Sequence, residues 1–229
     1  MRGGRAVAEL VLGLIEPTGR LPLSFARHVG QQPVYYNQVR GQHGDRYADL
    51  TQEPVFAFGE GLSYATVTYS DLAVAEPDVA ASDIVTATVR LTNTGTRPSR
   101  ETVQAYVSDI YTSATWAEQE LKAFTQVDVA PGETVDVEIA IPAARCSLVT
   151  SDGRRVVEPG EFELRVGPSS RRAHQQAVRF RIRGWTGPVL CDDGRHGVAH
   201  QHRRGGLAGP GVGGARRRRA VARVDGLCQ

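Results

Sequence analysis

Apolar residues in the first thirty positions follow two periods in turn. Ala6, Val7, Leu10, Val11, Leu14 and Ile15 recur on one side of a helix of about three turns, which Pro17-Thr18-Gly19 brings to an end. Leu21, Leu23 and Phe25 then share one face of a short extended segment, with Pro22 marking an edge position. One helix and one strand make an α/β unit without a sheet, so the helix's apolar stripe is stabilising only if something covers it. Residues 28–65 carry few regular signals, yet they hold Tyr35, Tyr36, Tyr47, Phe56, Phe58 and Tyr64. That aromatic density predicts a docked connector rather than a solvated linker.

From Thr66 the period becomes two. Val85, Ala87, Val89 and Leu91 alternate with polar residues up to the turn signal Asn93-Thr94-Gly95, and Val103, Ala105 and Val107 repeat the pattern. Val127 and Val129 lead through Pro131-Gly132 into Val135, Val137, Ile139 and Ile141. Pro159-Gly160 opens the run Phe162, Leu164, Val166, and Val178, Phe180 and Ile182 form the last one. With the segment around Val67–Val74 this makes about seven strands, the count and spacing of an immunoglobulin-like or fibronectin type III-like β-sandwich. The expected organisation is mainly β: residues 1–27 as the remnant of an α/β domain, 28–65 as connector, 66–183 as sandwich, and 184–229 as a Gly/Arg-rich tail.

The chain's 229 residues, 41% apolar and 23% charged, exclude a membrane-embedded or wholly disordered protein. The net charge of +2 argues against a protein built around a polyanion. It hides a split, because residues 184–229 carry eight Arg against three Asp. Lys122 is the sole lysine, a bias that fits GC-rich coding sequence and weakens any reading of single arginines as chemistry. Cys146, Cys191 and Cys228 are an odd number at wide spacing, with no disulfide framework. A cytoplasmic chain is favoured. Arg2 and Arg5 ahead of Ala6–Ile15 superficially suggest a secretory signal, but Glu9 interrupts the apolar run and no small-residue cleavage site follows.

Several motifs in order resemble glycoside hydrolase family 3, the β-glucosidases, β-xylosidases and their relatives. Ala6–Gly13 and Glu16-Pro17-Thr18-Gly19-Arg20-Leu21-Pro22-Leu23-Ser24-Phe25 are similar to the end of that family's α/β domain, and Phe58-Gly59-Glu60-Gly61-Leu62-Ser63-Tyr64 to its signature before the last domain. Asn93-Thr94-Gly95, Glu101–Val107, Glu120–Phe124, Pro131-Gly132-Glu133 and Glu158–Phe162 continue in the order of its fibronectin type III-like domain. Two departures stand out: Glu60 sits where relatives often have an aromatic or His, and Thr115–Gln119 replaces an Arg-Pro pair before Glu120. The resemblance implies retaining hydrolysis of terminal β-linked sugars through two carboxylates. In the family both catalytic groups precede the region matched here, so the transfer delivers no catalytic residue. The expected role is structural, with the N-terminal catalytic domains of the parent enzyme as partner and a β-glycoside or polysaccharide as the parent's substrate.

Local candidates do not displace that expectation. Asp45, Asp49, Glu53 and Glu60 lie in the connector without the spacing of a retaining pair. Asp45 and Tyr47 are candidates for sugar-proximal or interdomain contact, and Trp116, beside Tyr111, for an interdomain anchor or a sugar-stacking ring. Glu60 between two glycines reads as a product of backbone geometry. His28 and His43 have no GxSxG partner. Cys191, His196, His200 and His202 have metal-ligand chemistry but lack a second close Cys and an element to hold them. No metal or cofactor is expected. Arg216–Arg219 could attract nucleic acid or acidic surfaces, but no aromatic interleaves with them. The tail reads as a disordered end or as text from a shifted reading frame, with no nucleic-acid or membrane partner expected. A non-catalytic carbohydrate- or protein-binding sandwich is the alternative.

Overall fold

The computed structural model describes residues 3–39 and 51–184, and the backbone of 217–223. Among the described residues, the N-terminal part holds one helix, α1 (Gly3–Val11), and a single 3-10 turn at Val29–Gln31. Strands follow in order: β1 (Val67–Val74), β2 (Asp78–Ala80), β3 (Ile84–Asn93), β4 (Ser99–Asp109), β5 (Glu120–Val129), β6 (Thr134–Pro142), β7 (Leu148–Val149), β8 (Arg155–Val156), β9 (Gly160–Gly167), β10 (Gln176–Arg183) and β11 (Arg217–Arg223).

Two sheets face each other, in the orders β1-β3-β6-β11 and β2-β10-β9-β4-β5, with β7-β8 a separate hairpin. The seven long strands β1, β3, β4, β5, β6, β9 and β10 coincide with the seven alternating runs in the sequence, so the sandwich expectation holds. Val85, Val89, Leu91, Val103, Val137, Ile139, Phe162, Leu164 and Ile182 fill the space between the sheets. Alternation follows because successive side chains of a strand point to opposite faces and only one face is packed. The short strands β2, β7 and β8 left no trace in the periodicity, being shorter than the four or more residues over which alternation can be read.

Three elements differ from expectation: α1 stops at Val11, where Gly13 at φ +68° turns the chain, so Leu14 and Ile15 lie outside it and the Pro17-Thr18-Gly19 stop is not reached. Residues 20–25 form no continuous strand. They meet the connector in a broken antiparallel ladder: Leu21 N–H donates to Glu60 O (2.9 Å), Gly59 N–H to Leu21 O (2.8 Å), Phe25 N–H to Phe56 O (2.8 Å) and Val55 N–H to Phe25 O (2.8 Å). The central rung is missing, for reasons described below. Within the tail, residues 217–223 pair in parallel with β6. That pairing comes from an available sheet edge rather than from the tail's composition. The remainder of the tail lies outside the described residues.

Asn93, fully buried at the end of β3, ties the two sheets together. Its side-chain amide donates to Val129 O (3.0 Å) at the end of β5 and to Arg97 O (2.8 Å), while its side-chain carbonyl accepts from Gly95 N–H (3.0 Å). Asn93→Ala leaves these groups without partners and is expected to cost about 1–3 kcal/mol in urea unfolding. Asn93→Asp should cost more, since it sets a carboxylate oxygen against two carbonyls. Wild-type stability in Asn93→Asp would exclude this role.

Candidate functional site

β4 is buried on both faces. Its inward residues Val103, Ala105 and Val107 belong to the sandwich core, and its outward residues Thr102, Gln104, Tyr106 and Ser108 are buried as well. The connector covers Gln104 and Tyr106. Tyr36 stacks on Phe58 with centroids 4.1 Å apart and meets the Tyr106 ring edge-on at 6.0 Å. Gln104 donates to Gly59 O (3.0 Å) and Pro168 O (2.5 Å), and accepts from the Tyr106 hydroxyl (2.7 Å). Burial, with Tyr36 adding to it, pushes the Tyr106 phenol far above its ordinary range. The Tyr36 phenol is also raised, chiefly by burial, although it accepts from Leu121 N–H (3.4 Å).

The segment 58–64 makes its contacts residue by residue. Gly59 has φ +78°, and a Cβ there would overlap the Gln104 amide, so both conformation and space require glycine. The Glu60 carboxylate accepts from Ala57 N–H (2.6 Å) and pairs with Arg171 Nε (2.7 Å). Arg171 also reaches Glu53 (3.3 Å) and the carbonyls of Pro54 and Val55 (both 3.5 Å). Ser63 Oγ donates to the Glu16 carboxylate, which also accepts Tyr64 N–H (3.0 Å). The Tyr64 hydroxyl donates to Leu10 O (2.8 Å) near the end of α1, and Arg97 lies over its ring while donating to Gly13 O. A second charged link is buried: Arg20 pairs with Glu101 (3.2 Å), whose other oxygen accepts from Tyr69 OH (2.9 Å).

The missing rung now has a cause. In the register of Leu21–Glu60 and Phe25–Phe56, Ala57 N–H and Phe58 O would face Leu23. Instead Glu60 takes the Ala57 amide, and Phe58 O accepts Ser170 N–H (2.9 Å) from the sandwich. Residues 55–60 therefore pair at both ends with the N-terminal segment and at the centre with the sandwich.

Of the candidates named from sequence, Asp45, Tyr47, Asp49 and His43 lie outside the described residues, as do Cys191, His196, His200, His202 and Arg216. Trp116 is half-buried, and its indole N–H donates to Glu120 (2.8 Å). Its loop meets the connector through the Val39–Ala117 bridge and Glu118 N–H to Gln38 O (2.6 Å). Glu60 requires a correction. Gly59 fits the backbone reading, but the side chain of Glu60 is a charged clamp and not incidental to a turn. Sequence reasoning missed it because Arg171 is 111 residues away and shares no motif with it.

Chemically, Glu60 is set up as an ion-pair partner and not as a general acid. Glu60 and Glu53 share Arg171, and although burial opposes the charge on Glu60, the bonds from Arg171 and Ala57 N–H hold its carboxyl below the usual range. A general acid needs the opposite shift. Among the described residues no group of three or more His, Cys, Asp or Glu could hold a metal ion, and no helix is long and apolar enough to cross a membrane. Apolar exposure is uneven. Thirteen of the seventeen large apolar side chains exposed among the described residues fall between Val7 and Tyr64, and no residue of α1 is buried.

Residues 1–64 match the glycosyl hydrolase family 3 C-terminal domain, and residues 101–170 the fibronectin type III-like domain. A periplasmic β-glucosidase of Salmonella typhimurium is 34% identical over 183 residues, covering 76% of this chain and 24% of its own length. A β-xylosidase of Formosa agariphila is 37% identical over 190 residues, covering 80% and 26%. Among solved structures, a β-glucosidase involved in saponin metabolism from intestinal bacteria superposes with TM-score 0.77 at 54% identity, covering 80% of this chain and 25% of that one. The β-glucosidase of Listeria innocua in complex with glucose gives 0.73 at 27%, covering 80% and 26%. The chain thus spans about a quarter of the length of the relatives it matches. With its helix, clamp segment and sandwich following one another in the family's order, the chain belongs to glycoside hydrolase family 3, of which it carries C-terminal-domain residues and the fibronectin type III-like domain.

Proposed function

We propose that this chain is the bracing part of a retaining family 3 glycoside hydrolase acting on terminal β-linked sugars, and that it hydrolyses no glycoside alone. The observation that carries the proposal is the connector's position. It seals the outer face of β4 and is pinned by Glu60–Arg171, so it presents the apolar side chains of residues 7–64 as a fixed surface. A surface of that kind fits the catalytic domains of the parent enzyme. Trp116 belongs to the same brace, tied to Glu120 beside the connector, and Asp45 and Tyr47 of the connector are placed by this reading at the interdomain boundary.

The described connector carboxylates support inactivity. A retaining enzyme needs two carboxyl groups about 5 Å apart across the sugar, one of them protonated when the reaction starts. Glu60 and Glu53 instead face one guanidinium, and Glu101 is occupied by Arg20 and Tyr69. The purified 229-residue chain is expected to release no aryl alcohol from aryl β-glucosides or β-xylosides. Turnover that tracks the purified chain would overturn the proposal.

The clamp has its own tests. Arg171→Ala removes charge-assisted hydrogen bonds worth about 1.5–3 kcal/mol each, so the Ala57 amide should exchange with deuterium about tenfold faster or more, with β3 and β9 amides unchanged. Equal loss of protection throughout the sandwich would instead make Arg171 a general stability residue. The pH dependence has a defined sign. Because the folded carboxyl of Glu60 is depressed, its contribution to docking is complete above the ordinary glutamate range and is lost as pH falls through the depressed value. Connector protection should therefore fall only in that acidic window. Glu60→Gln should remove this component of the pH profile, and an unchanged profile in that variant would assign it to other carboxylates.

A further inference from the structure

The strands β1-β3-β6 end at β6, and the backbone of Arg217–Arg223 lies along that edge in parallel as the fourth strand, from Arg217 opposite Thr134 to Arg223 opposite Ala140. An open edge strand offers a row of N–H and C=O groups that another strand can take. β6 suits this role. Its burial alternates without interruption from Thr134 to Pro142, and its register with β3 contains no bulge, so its free side is straight and extended. The neighbouring edge strand β5 is different: its pairing with β4 shifts at the Ala105–Tyr106 step, where Lys122 is the extra residue. Bulges of this kind blunt an edge.

The added segment also runs near β5, with Cα atoms within 8 Å, so it occupies the side of the sandwich where the two sheets' edges meet. Charge favours the match. β6 and its leading turn carry Glu133, Asp136 and Glu138, of which Asp136 pairs with Arg90 (2.8 Å) and Glu133 accepts from Ala130 N–H (2.8 Å). The segment holds four Arg in seven residues. Residues 184–216 separate it from β10, a length that spans roughly 110 Å when extended, so reach does not discriminate between the chain's own edge and that of a second copy. Tethering does, because a segment joined to its own site meets it at an effective concentration of about a millimolar.

We propose that the β6 edge is a strand-acceptor site for extended arginine-rich segments, and that Arg217–Arg223 of the same chain occupies it and keeps two copies from pairing edge to edge. The test uses the full-length chain with Ala220→Pro and Val221→Pro together, which removes an amide donor of each parity from the segment. In the wild type, the alternate β6 amides that do not face β3 should be protected. In the variant they should exchange about tenfold faster or more, while amides of β9 and β10 report an intact sandwich. Sedimentation should show a concentration-dependent dimer for the variant and a monomer for the wild type. A synthetic Arg-Arg-Arg-Ala-Val-Ala-Arg peptide, added at millimolar concentration, should restore protection and reverse the association. Equal exchange of those amides in wild type and variant would overturn the proposal. So would a wild-type dimer dissolved by the substitutions, since the occupant would then be a second copy.

Discussion

The carboxylate of Glu60 decides how residues 55–60 divide their backbone between two neighbours. A strand segment has one donor and one acceptor per residue, and the N-terminal segment 21–25 and the sandwich both compete for them. By accepting Ala57 N–H at 2.6 Å, Glu60 removes one group from the ladder with 21–25, and Arg171 holds the carboxylate in that position at 2.7 Å. Phe58 O is then directed to Ser170, and Gly59 O to Gln104. A neutral side chain at position 60 would hold Arg171 without charge, leaving it Glu53, a carboxylate 65% exposed and correspondingly weak, beside the carbonyls of Pro54 and Val55.

That division explains why β4 carries buried polar residues on a face that a free sandwich would leave wet. Gln104, Tyr106 and Ser108 each find a partner: Gly59 and Pro168 carbonyls, the Gln104 carbonyl, and Glu118 O (2.6 Å). A buried polar group left without a partner costs about 1–3 kcal/mol, and among these partners Gly59 O alone comes from the connector, so Gln104 is where sandwich and connector depend on each other. The buried pair Arg20–Glu101, with side chains 11% and 6% exposed, extends the same logic, because removing either partner strands a charge.

The sandwich was legible because its signal is local and periodic: each of the seven long runs alternates by itself, as Val85 to Leu91 does. The helix was legible for the same reason. The family was legible from the order of short motifs, Phe58–Tyr64 above all. The clamp was not, since Glu60–Arg171, Gln104–Gly59 and Arg20–Glu101 join residues at separations of 111, 45 and 81, and no pattern along the chain announces a pair. Glycines flanking Glu60 directed attention to the backbone and away from the charge. Leu21–Phe25 looked like a strand because its alternation is real. Its ladder is broken by a competitor that only the folded chain brings near. β11 escaped because the edge that orders it belongs to β6.

The N-terminal helix shows where this chain's own stabilising contacts end. α1 has nine residues, fewer than the roughly 12–15 an isolated helix needs to be even marginal in water. None of its residues is buried, and Val7 and Val11 are 61% and 70% exposed. What anchors it lies at its C-terminal end: Tyr64 OH on Leu10 O, Arg97 on Gly13 O, and Glu16 holding Ser63 and Tyr64. Hydrogen bonds at one end orient a helix, but they do not replace the apolar burial that contributes most of a helix's stability in proteins. The apolar side of α1, together with exposed Leu12, Leu14, Leu23, Phe25 and Phe56, is thus held in position while exposed. Prior orientation lowers the conformational entropy lost on docking. A clamp 111 residues across the chain therefore acts on the energetics of a surface it does not touch.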